Sequence, residues 1–291
     1  MSDSVSGPAY RLTRRLAALV PLLGLAALAA APALQAQSSV GNLYDKWQID
    51  LSGAMVIMGS TIRVDGANGE GTDVDSDVLG LSKSRLQPRL SVRWRPGHKH
   101  ELELGYQFAR RDAEKTLDRE AVFNDSTYDV GANIKTKFRT DQAFLTYRYA
   151  LKAAERSQLG LGVGIGVLPF KFEIDALGNV NGGQDVTSSG EKTFLGPTAS
   201  IGAYGRWLLG ERWYVESDLR GIKIKIDRLH ASVVEANLGG RYFISPKFAA
   251  DLGYGISSIR LEVDPRDSGK GFSGKIKYPL QHVRLGMVFT P

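Results

Sequence analysis

From Leu280 onward the chain reads Leu-Gln-His-Val-Arg-Leu-Gly-Met-Val-Phe-Thr-Pro, so Val283, Leu285, Met287 and Phe289 alternate with polar or small residues. A two-residue period places every second side chain on one face of an extended strand. The same alternation recurs roughly ten times between Trp47 and Phe289. After residue 36 no stretch approaches the roughly 18 continuous apolar residues that a membrane helix needs. The fold expected is all-β and antiparallel, with one apolar face per strand.

The first 36 residues differ from the rest. Arg11, Arg14 and Arg15 precede an apolar run from Leu16 to Leu34, which exits through Ala33 and Ala36. A basic start, an apolar stretch and small residues at the exit make a secretory signal peptide over 1–36, cut after Ala36. A lead-in over 37–46 and one domain over 47–291 follow. Removing three arginines and Asp3 from a chain of net charge +6 leaves the mature protein near +4. That mild excess is spread along the length, with no basic cluster suited to nucleic acid. The chain has no cysteine, which excludes disulfides and thiolate metal sites.

Alternation and turn chemistry place strands at 47–58, 85–95, from 100, 134–151, 158–170, one ending at Trp207, 213–226, 232–243, 248–261 and 275–289. The expected count is ten, within two. On the seventh, Leu219 faces out before Gly221, whereas Ile222 and Ile224 do so after it. A β-bulge at Gly221 is the expected cause, with a similar slip at Pro279. Connections alternate between short (96–99, 152–157, 209–212, 244–247) and long (59–84, 112–133, 171–193, 263–274), with 227–231 briefer. Trp47, Trp94, Tyr149, Trp207, Trp213, Tyr242, Phe248 and Phe289 all fall at the strand ends that meet the short connections, as a membrane-interface girdle would.

With that alternation, turn asymmetry and girdle, the chain from Trp47 to Phe289 resembles the outer-membrane β-barrel proteins of Gram-negative bacteria, above the eight-stranded size. The resemblance implies an up-and-down transmembrane β-barrel in the outer membrane, with short turns on the periplasmic side. It also implies contact with outer-membrane lipid and lipopolysaccharide, passage through periplasmic chaperones and the barrel-assembly machinery, and a monomer. It is architectural and carries no activity with it.

Inward parity gathers Asp50, Arg89, Arg93, Glu101, Glu103, Arg148, Arg206, Glu216, Asp218, Arg220, Glu235, Arg241, Asp251 and Arg284 in the lumen. Both signs are equally represented, whereas an ion-selective pore favours one. A packed, largely closed lumen follows, and with it a structural or surface-interaction role; a porin-like channel for small solutes is the alternative. Asp73, Asp75 and Asp77 resemble the start of a calcium loop, but Val78 stands where glycine is required and Ser84 where a bidentate glutamate is required. No metal or cofactor is expected. His98 and His100 fall at a short turn, and His282 in the last strand has no serine partner. His230-Ala-Ser232 resembles the histidine-x-serine pair of outer-membrane lipid A deacylases, which makes a lipid-modifying enzyme the second alternative. Glu235 falls on the opposite face by parity, and no catalytic residue is assigned.

Overall fold

The computed structural model describes residues 41–59, 61–64, 73–76, 80–82, 84–118, 120–123, 126–180, 183–264 and 273–291. The signal peptide expected over 1–36, the start of the lead-in, and Asp77 and Val78 lie outside them. Among the described residues all regular structure is strand: β1 (Trp47–Met58), β2 (Thr61–Val64), β3 (Val74–Asp75), β4 (Ser84–Trp94), β5 (His100–Gln107), β6 (Arg110–Thr116), β7 (Ala121–Phe123) and β8 (Ser126–Tyr128). There follow β9 (Asn133–Arg139), β10 (Gln142–Ala154), β11 (Ser157–Val180), β12 (Gly183–Leu209), β13 (Trp213–Ile226), β14 (Leu229–Phe243), β15 (Phe248–Val263) and β16 (Gly274–Phe289).

Ten of these form the wall, in the order β1, β4, β5, β10, β11, β12, β13, β14, β15, β16, and β16 returns to pair with β1. All pairs are antiparallel, and closure runs from Ile49 opposite Phe289 to Met58 opposite Leu280. A closed ring leaves no unpaired edge, which is what a sheet needs where the surroundings offer no hydrogen bonds. Leu51, Leu104, Ile165, Leu252 and Leu285 lie on the outside and are exposed, although soluble proteins bury such residues. They form a band suited to hydrocarbon.

Several strands run past this band, and there the polarity of the two faces reverses while the register does not. On β11, Val163, Ile165 and Val167 face out opposite inward glycines. Farther along, Leu168, Phe170, Phe172 and Ile174 are buried inside, and Lys171 and Glu173 face out. On β13 the pairing with β14 is unbroken through Gly221, so Ile222 and Ile224 point inward and Lys223 and Lys225 outward. The expected bulge is therefore absent. The exterior medium changes from lipid to water instead, and the apolar side moves to the inside. Pairing of β15 with β16 is likewise unbroken through Pro279. That proline falls between the β16 residues paired with β1 and those paired with β2, where its missing N–H costs no ladder bond. Register shifts occur instead between Ala150 and Lys152 and between Gly178 and Val180.

Two of the expected long loops are thus largely strand. Stretch 171–193 continues β11 and β12, while 112–133 contains parts of β6 and β9 together with the β7–β8 hairpin. The span expected over 134–151 breaks at Thr140–Asp141, where Asp141 accepts from the Ala109 amide at 3.0 Å. The result is a collar above the lipid band with its own apolar core. Phe138 on β9 meets Phe172 on β11 (ring centroids 6.0 Å) and Tyr278 on β16 (6.3 Å), so the core spans the collar from wall to wall. Phe138→Ala should destabilise the barrel by about 3–5 kcal/mol in a urea unfolding titration in detergent.

Candidate functional site

Below the collar the inward positions are charged, and backbone parity alone brings them together. The Glu101 carboxylate accepts from Arg95 Nε (2.6 Å), Arg148 Nη1 (2.7 Å) and both terminal nitrogens of Arg206 (2.6 and 2.7 Å). Glu103 accepts from Arg148 (2.6 Å) and Arg89 (3.0 Å) and lies 3.5 Å from Arg93 Nε. Glu216 takes both Arg93 terminal nitrogens at 3.0 Å, Arg206 Nε at 2.8 Å and the Tyr214 hydroxyl at 2.6 Å. Planar guanidinium groups meet carboxylates edge to edge in this way with fixed geometry.

The positions of these partners around the ring matter most. Five steps of the ten-strand order separate β4, which carries Arg93, from β13, which carries Glu216, so this bidentate pair crosses the full diameter. Arg206 on β12 reaches Glu101 on β5 across a shorter chord. Two smaller groups complete the layer. Asp251 accepts from Arg284 (3.0 Å) and lies 3.5 Å from Arg241, which also donates to Gln48 at 3.3 Å. Arg220 meets Asp218 and Glu235, each at 3.2 Å. Asp50 accepts from Ser52 at 2.8 Å. The guanidinium groups of Arg206 and Arg241 lie 4.8 Å from the ring centres of Tyr204 and Tyr214. A cavity of about 30 Å³ remains between Arg89, Glu103, Arg220, Asn237, His282 and Arg284, space for roughly two waters.

All fourteen expected lumen residues therefore lie in this layer. Arg95 was missed, although the odd-numbered inward positions of β4 lead to it; it sits one residue past the strand, before Pro96-Gly97.

The lead-in closes the periplasmic mouth. Leu43 is fully buried among Leu208, Tyr214, Phe243, Ala249 and Val288. Tyr44 donates to the Ala154 carbonyl at 2.7 Å and stacks on His98 at 4.7 Å. The Gly41 amide donates to Glu211 on the β12–β13 turn at 3.0 Å. His98, although exposed, thus packs against the lead-in. His100 lies 2.7 Å from the Tyr147 hydroxyl.

Around this mouth Trp47 stacks on Trp94 (5.9 Å), Trp213 meets Tyr242 (5.0 Å) and Phe248 meets Phe289 (5.1 Å) with tilted rings, and Tyr149 meets His100 edge-on at 5.2 Å. Trp207 differs from the expected girdle: it is only 5% exposed, and its ring covers the place where Gly205 lacks a side chain.

His230 and Ser232 lie on the outer face of the collar and are not joined by a hydrogen bond. His230 Nε2 faces Asp264 at 3.9 Å, while Glu235 points inward to Arg220. Asp75 accepts from Thr61 (2.9 Å), and Asp73 faces Lys277 (3.8 Å). His230 and Ser232 do not form the constellation that their sequence resembles, and Asp77 of the calcium-like stretch lies outside the described residues.

No protein-family model and no curated protein matches the chain. Among solved structures it is similar to the outer membrane protease OmpT from Escherichia coli, at 11% identity and a TM-score of 0.54, over 86% of this chain and 98% of that one. The translocator domain of autotransporter NalP from Neisseria meningitidis aligns at 14% identity and a TM-score of 0.37, over 96% and 97% of the two chains. Neisserial surface protein A aligns at 10% identity and a TM-score of 0.32, over 84% and 97%. The fold is that of the Gram-negative outer-membrane β-barrels.

Proposed function

We propose that this protein is a non-conducting outer-membrane barrel whose role is structural, holding a rigid collar at the cell surface for contact with other molecules. The observation that carries this reading is the Arg93–Glu216 pair across the lumen, reinforced by Arg206–Glu101 and by Leu43 in the periplasmic mouth. An ion would have to part bidentate contacts in a layer where most of the charged groups are buried, and no single sign of charge lines a path. The collar adds a second obstruction, because Phe138 bridges to Tyr278.

The protein fused into planar bilayers should give no reproducible unit conductance. Discrete steps that shift on replacing Arg89 or Glu103 would establish the channel reading in its place. The protease activity of the Escherichia coli neighbour is not carried over, since one fold hosts many activities and here the likeness is of fold.

A further inference from the structure

The charge layer is not balanced at every point. Glu101, Glu103 and Glu216 between them hold Arg89, Arg93, Arg95, Arg148 and Arg206, so three carboxylates answer five guanidinium groups. Elsewhere the sign reverses, since Asp218 and Glu235 share Arg220. The positive surplus lies towards β4, which carries Arg89 and Arg93 and leads into Arg95.

The cavity of about 30 Å³ adjoins this surplus, and Arg89, Arg93, Arg148, Arg220 and Arg284 all line it. Among the described residues three carboxylates do the same, those of Glu103, Glu216 and Asp218. Guanidinium groups donate hydrogen bonds and accept none. The Nε atoms of Arg89 and Arg93 are buried and have no acceptor. Register shows how the space arises. Ser52 on β1 stands opposite Arg89 on β4, and Ala54 stands opposite Arg284 on β16. The two arginines are thus parted by two strand spacings, roughly 10 Å, with small buried side chains on the strand between them. A Cβ on Gly253, opposite Arg284 on β15, would lie 3.3 Å from that guanidinium group, and one on Gly239 would lie 3.6 Å from it. Arg89 and Arg284 repel one another, and both add positive potential at the His282 ring, which also lines the cavity.

The geometry points to a binding site in this cavity for one monovalent inorganic anion of halide size, held by Arg89 and Arg284 beside His282. Buried charge without a counter-charge is costly, and one negative ion offsets part of the surplus near β4. Water would supply acceptors but no charge. Room for about two waters admits a halide and is too small for a phosphate, a sulfate or an organic acid. The site goes beyond the structural role proposed above and does not depend on a closed lumen. A conducting barrel would keep the same surplus, so recordings in planar bilayers do not bear on it.

Urea unfolding of the full barrel in neutral detergent tests the site, with chloride replacing gluconate at constant ionic strength. For one site the unfolding equilibrium constant should fall about tenfold for each tenfold rise in chloride once the site fills. Bromide should act likewise, and crystals grown in bromide should show its anomalous signal between Arg89 and Arg284. Arg89→Gln lowers the surplus while Glu103 keeps Arg148 and Arg93, and it should abolish the chloride dependence. Should that variant not fold, Gly239→Ala takes its place. Its methyl meets Arg284 at ordinary contact distance and takes up cavity space, which should shift the dependence to higher chloride. Arg110→Gln, at an exposed pair on the collar, should leave the dependence intact. Equal stability in chloride and gluconate, an unaltered dependence in the folded cavity variant, or a bromide signal only outside the cavity would overturn the proposal.

Discussion

Glu101→Ala should lower the unfolding free energy by about 3–5 kcal/mol, read as a shift of the urea midpoint at unchanged slope. Arg206 and Arg148 keep Glu216 and Glu103 as partners after this change, but Arg95 loses its only carboxylate partner among the described residues while remaining buried. A lone buried guanidinium accounts for the size of the effect, because removing one partner of a buried pair costs more than the pair contributes. Glu262→Gln, which breaks an exposed pair with Lys275, provides the contrast and should cost less than about 1 kcal/mol. Similar costs for the two variants would mean that water reaches the lumen layer and that the barrel is not filled.

Leu104→Arg should impair folding into lipid vesicles by roughly 2–4 kcal/mol, as should Leu252→Arg on the far side of the ring. Both residues are outward, with 61% and 58% of their surface exposed, on strands β5 and β15. Arginine there must remain in hydrocarbon or drag water inward. Lys225→Leu tests the boundary from the other direction: it lies beyond the lipid band and should leave folding into vesicles nearly unchanged. If all three behave alike, the band has been drawn at the wrong height.

Much of this architecture was legible in advance. Ten strands, with short turns on the side where aromatics cluster, followed from a two-residue period. What failed was the assumption that the apolar side always faces out. That holds only where lipid is the exterior solvent. Beyond the rim the outside is water, so an unchanged backbone shows Lys223 out and Ile222 in, and from the residues alone this reads as a slip at Gly221. The same reversal disguised 171–193 as a loop. Contacts across the ring could not be read at all: Arg93 and Glu216 are 123 residues apart, and nothing local announces their meeting. Nor does the lead-in have any period to mark Leu43 as buried.

Leu43 also bears on the order in which the molecule is completed. Its neighbours come from the ends of β12, β13, β14, β15 and β16, so its seat does not exist until the last-made strands are in place. The segment that carries Leu43 is therefore among the last to dock. Until β16 has found β1, this segment hangs free on the periplasmic side, and its settling marks the end of assembly.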